Sequence, residues 1–346
     1  MNSKLFGFLM WVCFSMLNNL ISTASAQIYN VADLGTLGGS GSEANSINNN
    51  GQVTGWAYTA SGAHAFLYSG GVMTDLGALG DNYSYGYGIN DSGQVVGAAG
   101  VGFLYSGGVM RNVSFYSGAA LGINNSGQIV GEVSSIGSAQ AFLYSGQNTI
   151  YPGTLGGVSS SARGINNNGQ VVGYADKAGG IQHAFLYSGE TMIDLGTLGG
   201  DLSQANAIND LGQVVGWAYT AGGIQHAFLY SGGIMNDLGT LGGTMSIANS
   251  INNQGQVVGY ALSATYNDIP FLYSDGTSVN LNTLISTNSG WTLEVATDIN
   301  DHGQIVGYGY NSLGNLDAFL LTPVPEPATV GLLIFGGVGF LLRRWL

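Results

Sequence analysis

The chain has 346 residues, of which 45% are hydrophobic, and its formal net charge is −13. Residues 27–322 contain only three basic side chains, Arg111, Arg163 and Lys177, against eighteen of the nineteen acidic ones, and so carry a formal charge of −15. This balance excludes a nucleic-acid-binding protein, which needs a cationic surface, and argues against adhesion to anionic lipid. Nineteen tyrosines and the apolar fraction argue against disorder.

The N-terminus predicts a secretory signal peptide over residues 1–26. A short positive start that contains Lys4 precedes an apolar run over 5–17, and Ala24 and Ala26 form a small-x-small cleavage site before Gln27. The sole cysteine, Cys13, lies inside this segment. The mature chain is therefore expected to have no disulfide, no thiolate metal site and no cysteine nucleophile.

Residues 27–322 repeat one motif seven times. Its pattern is Ile-Asn-(Asn/Asp)-x-Gly-Gln-(Val/Ile)-(Val/Thr)-Gly, with spacings of 42, 34, 42, 43, 43 and 48 residues between copies. A period near 40 to 45 residues is typical of propeller blades. Asn, Asp and Gly favour a tight hairpin turn between short strands. The fixed turn glycines are Gly51, Gly93, Gly127, Gly169, Gly212, Gly255 and Gly303.

The Asn/Asp cluster of the motif has a second interpretation, which is calcium binding. Only Asp91, Asp210 and Asp301 place a carboxylate at the third motif position, whereas the other copies have Asn. A calcium site usually gathers more charged oxygen ligands than this. Turn chemistry is therefore favoured, no cofactor is predicted, and calcium remains the alternative.

Each period contains four β runs, which predict a four-stranded blade. They are Ala-x-x-Ile-Asn, Gln-Val-Val-Gly, Ala-Phe-Leu-Tyr-Ser and x-Met-x-Asp-Leu-Gly, and the first has mostly small residues on one face, as expected nearest a propeller axis. The chain begins with a fourth-type run at 28–34 and stops after a third-type run that ends at Leu321. The predicted fold is an all-β, seven-bladed β-propeller closed by the N-terminal strand. Copies two and three are the least regular, around residues 97–103 and 112–115.

The C-terminal residues 323–346 carry three parts in order: Val324-Pro325-Glu326-Pro327, an apolar segment over 328–342, and Arg343-Arg344. This order resembles the PEP-CTERM protein-sorting signal. The resemblance implies a short membrane helix over 328–342, recognition by an exosortase-type membrane peptidase, and export to the surface or matrix of a Gram-negative bacterium. A permanent single-pass anchor is the alternative, although fifteen helical residues span only about 22 Å.

The repeats themselves resemble the bacterial HAF-type extracellular repeat. The matching segments are Leu-Gly-Thr-Leu-Gly-Gly, the turn motif, and the triplets at His64-Ala65-Phe66, His183-Ala184-Phe185 and His226-Ala227-Phe228. This family supplies no established activity or catalytic residue. The three histidines occupy one repeat position on different blades, which favours a structural or turn role over a shared metal.

Tyr83, Tyr85 and Tyr87 replace small or polar residues in the second copy, and we interpret them as a ligand surface because flat rings stack on sugars. For Trp56 and Trp217 we favour a role in filling space between blades, because they occupy the same place as Tyr174 and Tyr260.

No nucleophile elbow, zinc-protease helix or phosphate loop is present in the sequence. The prediction is therefore a non-enzymatic surface or matrix module that binds extracellular polysaccharide or a surface protein. One alternative is a polysaccharide-active enzyme with carboxylates at the axis, where Asp298, Glu294 and Glu43 are the candidates. The other is a passive structural component of the matrix.

Overall fold

The computed structural model describes residues 28–325 except 81, 136, 147 and 266. The predicted signal peptide, the sorting signal from Glu326 onward and the predicted helix over 328–342 lie outside these residues. Tyr29–Pro323 form one compact unit. Ile28, Val324 and Pro325 are the described residues of a second unit, in which the Val324 N–H donates to the Ile28 carbonyl oxygen at 2.8 Å.

The described residues form 27 β-strands and one 3₁₀ turn, Leu281–Thr283, and none of their helical segments is long and apolar enough to cross a membrane. The strands follow the four predicted runs. First-run strands are β2 (Ser42–Ile47), β6 (Tyr85–Ile89), β13 (Gly156–Ile165), β17 (Gly199–Ile208), β21 (Met245–Ile251) and β25 (Thr292–Ile299). Second-run strands are β3 (Val53–Tyr58), β7 (Val95–Ala99), β10 (Ile129–Ser135), β14 (Val171–Lys177), β18 (Val214–Thr220), β22 (Val257–Leu262) and β26 (Ile305–Tyr310).

The remaining strands belong to the third and fourth runs. Third-run strands are β4 (Ala63–Ser69), β8 (Val101–Ser106), β11 (Ser138–Ser145), β15 (Gln182–Ser188), β19 (Gln225–Ser231), β23 (Asp268–Ser274) and β27 (Leu316–Pro323). Fourth-run strands are β1 (Tyr29–Asp33), β5 (Val72–Asp75), β12 (Asn148–Ile150), β16 (Thr191–Asp194), β20 (Ile234–Asp237) and β24 (Thr277–Asn280). The long strand β9 (Val109–Ile123) serves as both a fourth-run and a first-run strand.

These strands form antiparallel sheets in run order, and the predicted all-β class is confirmed. Five sheets have four strands, and one has seven strands in the order β12-β11-β10-β9-β8-β7-β6. The seven-stranded sheet contains two repeats, because β9 pairs with β8 on one side and with β10 on the other. We therefore speak of seven repeat sheets, numbered from β2 onward, of which the second and third share β9.

The predicted pairing of the N-terminal strand with the last repeat is confirmed. Strand β1 pairs antiparallel with β27, with Tyr29 opposite Pro323 and Asp33 opposite Phe319, and completes the sheet β1-β27-β26-β25. The last repeat sheet thus obtains its fourth strand from the start of the chain. This pairing covers the edge of β27, which would otherwise present unpaired backbone groups.

The two glycines of the motif have different structural reasons. Gly51 has φ = 73°, a left-handed conformation that L side chains adopt rarely, and it closes the turn through its N–H to the Asn48 carbonyl oxygen at 3.1 Å. Gly55 lies opposite Ala44, where the pairing of β2 and β3 shifts by one residue at a bulge. A Cβ on Gly55 would collide with the Glu43 carbonyl oxygen. The motif therefore needs Gly at both places.

The core lies between neighbouring repeat sheets. Each of seven buried clusters in the described residues contains the phenylalanine of one third-run strand, together with residues of the preceding sheet. Phe228, for example, packs with Val172 and Ala184 of the fourth repeat sheet. Burying such a side chain fully contributes about 1.5–3 kcal/mol. The repeated phenylalanine therefore binds each sheet to the one before it.

Candidate functional site: the central cavity

The seven turns are joined in a closed ring of hydrogen bonds. In each turn the side-chain amide of the first asparagine donates to the carbonyl oxygen of the matching asparagine in the next turn. The first such bond runs from Asn48 to Asn90 at 2.8 Å, and the last runs from Asn300 back to Asn48 at 3.0 Å. The ring consists of Asn48, Asn90, Asn124, Asn166, Asn209, Asn252 and Asn300. The seven turns, one from each repeat sheet, therefore form one closed ring around a common axis.

A second closed ring, which we call the Asn/Asp ring, lies beside the first. The backbone N–H of each member donates to the side-chain oxygen of the next, as from Asn49 to Asp91 at 2.9 Å and from Asp301 back to Asn49 at 2.9 Å. Its members are Asn49, Asp91, Asn125, Asn167, Asp210, Asn253 and Asp301. These carboxylates are thus engaged in the turn structure that the sequence favoured over calcium binding.

Three spaces line the axis within the described residues. An opening of about 160 Å³ is bounded by both rings, and a space of about 210 Å³ that reaches Asp298 follows it. A larger space of about 590 Å³, here called the central cavity, lies among the first-run and second-run strands. Its lining is Glu43, Asn45, Tyr87, Leu121, Arg163, Gln204, Asn206, Trp217, Ile247, Asn249, Tyr260, Val295, Thr297 and Tyr308. Its volume is typical of small-molecule sites.

Aromatic side chains cover one arc of the central cavity. Trp217, Tyr260 and Tyr308 come from the second strands of three consecutive repeat sheets, the fifth to the seventh. Register explains why they reach it, because Trp217 lies directly opposite Gln204 on the first strand, so that both side chains share a face of the sheet. Burial and nearby acidic groups raise the pKa of Tyr308, so its hydroxyl stays protonated.

Amide side chains form the polar part of the lining. Asn206 donates to the Ala248 carbonyl oxygen at 2.9 Å, Asn249 donates to the Ala296 carbonyl oxygen at 2.9 Å, and Asn45 donates to the Gly86 carbonyl oxygen at 2.7 Å. Each bond crosses from one repeat sheet to the next and fixes the amide in place. Fixed amides next to flat rings combine oriented hydrogen-bonding groups with an apolar stacking surface.

The charged groups of the central cavity lie on well-separated repeat sheets. Glu43 is on the first sheet, where desolvation raises the pKa of its carboxyl group and a hydrogen bond from Trp56 opposes that rise. Arg163 is on the fourth sheet, with its guanidinium carbon 5.5 Å from the centre of the Tyr174 ring. In a ring of seven, the first and fourth sheets are as far apart as two members can be.

The candidate enzyme carboxylates do not line one common space. Asp298 is half-buried beside the axis, and its two oxygens accept from Ser250 Oγ at 2.5 Å, Ser46 Oγ at 2.8 Å and the N–H groups of Ile47 and Ile299, each at 2.9 Å. Burial raises the pKa of Asp298, although these bonds oppose the rise. Glu294 lines neither of the two spaces that contain Asp298 and Glu43, and desolvation with the nearby Asp268 raises the pKa of its carboxyl group.

The three tyrosines predicted as a ligand surface are only partly brought together. Tyr85 and Tyr87 stack with ring centres 6.5 Å apart and an interplanar angle of 9°, and Tyr87 lines the central cavity. Tyr83 precedes the strand and is 53% exposed, outside the lining of that cavity. Of the three tyrosines, only Tyr87 thus belongs to the central cavity; Tyr85 packs behind it, and Tyr83 belongs to a separate surface.

The interpretation of the tryptophans as fillers between blades is wrong for Trp217, which lines the central cavity. Trp56 does pack between sheets, since its ring centre lies 5.9 Å from that of Tyr85 on the second repeat sheet. The shared position also carried a signal for the cavity, because the residue after the last motif glycine is aromatic in five of seven copies. These five are Trp56, Tyr174, Trp217, Tyr260 and Tyr308.

The repeated histidines join the third and fourth strands of their own sheets. His64, His183 and His226 place Nδ1 3.0, 2.8 and 2.8 Å from the carboxylates of Asp75, Asp194 and Asp237. In the described part of the chain, no group of three or more His, Cys, Asp or Glu side chains could hold a metal ion. The predicted structural role agrees with these contacts.

Comparison with known proteins gives one short family match. Residues 236–313 match a family described as protein of unknown function DUF3466. This segment covers the end of the fifth repeat sheet, the sixth, and the start of the seventh. No curated protein matches the chain.

Several solved structures show weak similarity. TolB from Acinetobacter baumannii has a TM-score of 0.38 at 10% identity over 86% of this chain, which spans 55% of the TolB chain. AofleA from Arthrobotrys oligospora has a TM-score of 0.38 at 13% identity over 88% of this chain and 92% of its own. Aleuria aurantia lectin with Fucalpha1-6GlcNAc has a TM-score of 0.34 at 12% identity over 83% of this chain and 97% of its own. Values this low establish neither a shared fold nor a shared ligand.

Proposed function

We propose that this chain is an exported seven-bladed β-propeller that acts as a non-enzymatic module and binds extracellular polysaccharide in its central cavity. The aromatic arc of Trp217, Tyr260 and Tyr308 beside fixed amides is the observation that carries the proposal. Planar rings stack on sugar faces with little loss of conformational entropy, and amides bond to hydroxyl groups. Each blade is one repeat sheet, and β1 closes the ring.

Polysaccharide is a better fit to this site than a protein partner. A cavity of about 590 Å³ encloses a few sugar units, whereas a stable protein interface buries on the order of 800 Å² on each partner. The expected signal peptide and sorting signal place the module at the cell surface or in the matrix, with an exosortase-type peptidase as its processing partner.

The test uses the purified full chain and the extracellular polysaccharide of the cells that express it. Co-sedimentation measures binding, and size-exclusion chromatography of the polymer measures its length. We expect Tyr260→Ala to weaken binding about tenfold, because a stacking partner is lost. The exposed Tyr310, which does not line the central cavity, supplies the matched control, and Tyr310→Ala should bind as the unchanged chain does.

Three results would contradict the proposal. Shortening of the polymer would mean that the chain is an enzyme and would direct attention to Asp298 and Glu43. Absence of binding would favour a protein partner or a passive role in the matrix. Equal binding by the Tyr260 and Tyr310 variants would place the polysaccharide outside the central cavity.

A further inference from the structure

The Arg163 side chain lies in the central cavity, and its Nε has no hydrogen-bond partner among the described residues. It lines both the central cavity and the smaller space beside Asp298. Its Nε is buried and has no hydrogen-bond partner, and no ion pair joins its guanidinium to a carboxylate of the described residues. Buried polar groups without a partner are uncommon in proteins and call for an explanation.

Other contacts do not explain the charge of Arg163. The Tyr174 ring, 5.5 Å from the guanidinium carbon, supports one face of the group by a cation–π contact but accepts none of its hydrogen bonds in the plane. This side of the cavity therefore contains one donor, Arg163 Nε, that the described residues leave unused.

The other two cations of residues 27–322 are placed differently. Lys177 pairs with Asp194 at 2.8 Å, and Arg111 is exposed on the fourth-run part of β9, opposite Leu104, and does not line the central cavity. Eighteen acidic residues are available in the same region to neutralise Arg163. Arg163 nevertheless has no carboxylate partner among the described residues. The absence of an ion pair at Arg163 therefore does not come from a shortage of acidic residues.

The remaining charges would orient an anionic ligand. Glu43 lies on the far side of the central cavity. The charge of Glu132, on the third sheet, helps to raise the pKa of Tyr87, and Glu132 forms no ion pair with Arg163. A carboxylate would be repelled from the Glu43 side and attracted to Arg163, whose planar guanidinium can donate N–H bonds to both carboxylate oxygens at once. Long-range repulsion by the acidic surface is screened beyond about 8 Å at physiological salt.

We propose that the central cavity selects a sugar unit that bears a carboxylate, which Arg163 binds through paired hydrogen bonds while the sugar ring stacks on the aromatic arc. This inference rests on the proposed function and adds the chemical class of the ligand. Neutral hydroxyl groups of the same sugar would face Glu43 and the amides of Asn206 and Asn249.

The experiment compares the native polysaccharide with the same polymer after its carboxyl groups are chemically reduced to alcohols. Binding to the purified full chain is followed by co-sedimentation at low and at physiological salt. We expect reduction of the carboxyl groups to raise the Kd about 10- to 100-fold, because a charge-assisted bidentate contact is lost. Arg163→Gln should bind both polymers equally weakly, and Arg163→Lys should recover only part of the difference.

Arg111→Gln is the matched control, since it removes the same charge from an exposed site and should leave the preference for the native polymer unchanged. This inference would be overturned if the unchanged chain bound the native and reduced polymers equally. It would also be overturned if the native polymer contained no carboxyl groups and its binding depended on Tyr260. Either result would leave the proposed function standing. Absence of binding to either polymer would instead overturn the proposed function. A lost preference in Arg163→Gln with an unchanged melting temperature excludes misfolding as its cause.

Discussion

At the scale of the residue, the first asparagine of each turn does four things with one side chain. Asn209 Oδ1 accepts from the N–H groups of Leu211 and Gln213 at 3.1 and 2.9 Å, and Nδ2 donates to Gln213 Oε1 at 2.8 Å and to the Asn252 carbonyl oxygen at 3.0 Å. Only an amide supplies two acceptor bonds at one end and two donor bonds at the other. This explains why the motif has Asn, not Asp, at this place in all seven copies.

Asn209→Asp is therefore expected to destabilise the fold by about 3 kcal/mol, because a buried carboxylate oxygen would face two acceptor oxygens. The loss should be smaller in acid, where the carboxyl group is protonated and can donate one bond. Urea unfolding at pH 4 and pH 7 measures both effects. Asn236→Asp makes the same chemical change on the exposed strand β20, and an equal loss in that control would contradict the explanation.

The turn residues could be predicted from the sequence because their structural reasons are local. Gly51 needs a left-handed conformation and Asn48 bonds its own turn, and both requirements recur in every copy. Arg163 gave no such signal. It occurs once, at a repeat position that is otherwise Asn, Thr, Leu or Tyr, and only the pairing across sheets shows that its neighbours leave it without a partner.

At the scale of the element, strand β1 is held to the last repeat sheet by one large side chain. Tyr29 is 2% exposed and packs with Leu281, Leu284 and Leu293, and its hydroxyl is buried without a hydrogen-bond partner. This desolvation raises the pKa of Tyr29 to about 12, above the usual value near 10. The neutral ring contributes to stability, whereas ionisation would oppose the pairing of β1 with β27.

The pH dependence follows from this shift. Below pH 10 the folded and unfolded chains both keep the proton, so the contribution of Tyr29 is fully present; between about pH 10 and 12 the unfolded chain alone ionises, and stability falls by up to about 1.4 kcal/mol per pH unit. Tyr29→Phe should make this fall in stability shallower without abolishing it, because Tyr308 also has a raised pKa, and it should leave stability at pH 7 equal or higher. Urea unfolding at pH 7, 10 and 11 checks this. Tyr83→Phe, at an exposed site, should retain the slope, and an unchanged slope in Tyr29→Phe would contradict the argument.

Strand identity was easier to predict than strand continuity. The four runs of each repeat and the closing role of β1 followed from periodicity, because each run keeps its own apolar pattern. The merger of two repeats through β9 did not follow. Residues 112–118 lack the Gly-rich turn sequence that the other copies have at this place. The chain stays extended there, so β9 belongs to two repeat sheets. The absence of a turn sequence is a weaker signal than the presence of a motif.

At the scale of the whole molecule, the ring closes where the first and last repeats meet. Asp298 of the seventh repeat sheet accepts from Ser250 of the sixth and from Ser46 of the first. Asp298, the one acidic residue on the face of the first-run strands that otherwise has small residues, thus connects three sheets by hydrogen bonds. Its place in the ring, more than its chemistry alone, makes a structural role a better interpretation than a catalytic one.

The Asn/Asp ring also sets the expected response to calcium. Asp91 uses Oδ1 for the Asn49 N–H at 2.9 Å and Oδ2 for the Asn125 amide at 2.7 Å, so both oxygens have partners before any cation arrives. We expect the melting temperature to be the same with millimolar calcium as with a chelator. A concentration-dependent rise with calcium, which binding to the folded state would produce, would restore the calcium interpretation. Asp91→Asn is the variant that should abolish such a rise.

The Asn/Asp ring has an odd number of members, and this has a consequence for charge. Each of its three carboxylates lies between two amides, and three is the largest number of ring positions out of seven of which no two are neighbours. Strict alternation cannot close on itself, and the mismatch falls between Asn125 and Asn167, where two amides meet. A fourth acidic residue at any position of the Asn/Asp ring would therefore place two carboxylates next to each other. Further negative charge is expected elsewhere on the molecule, where it does not add this repulsion.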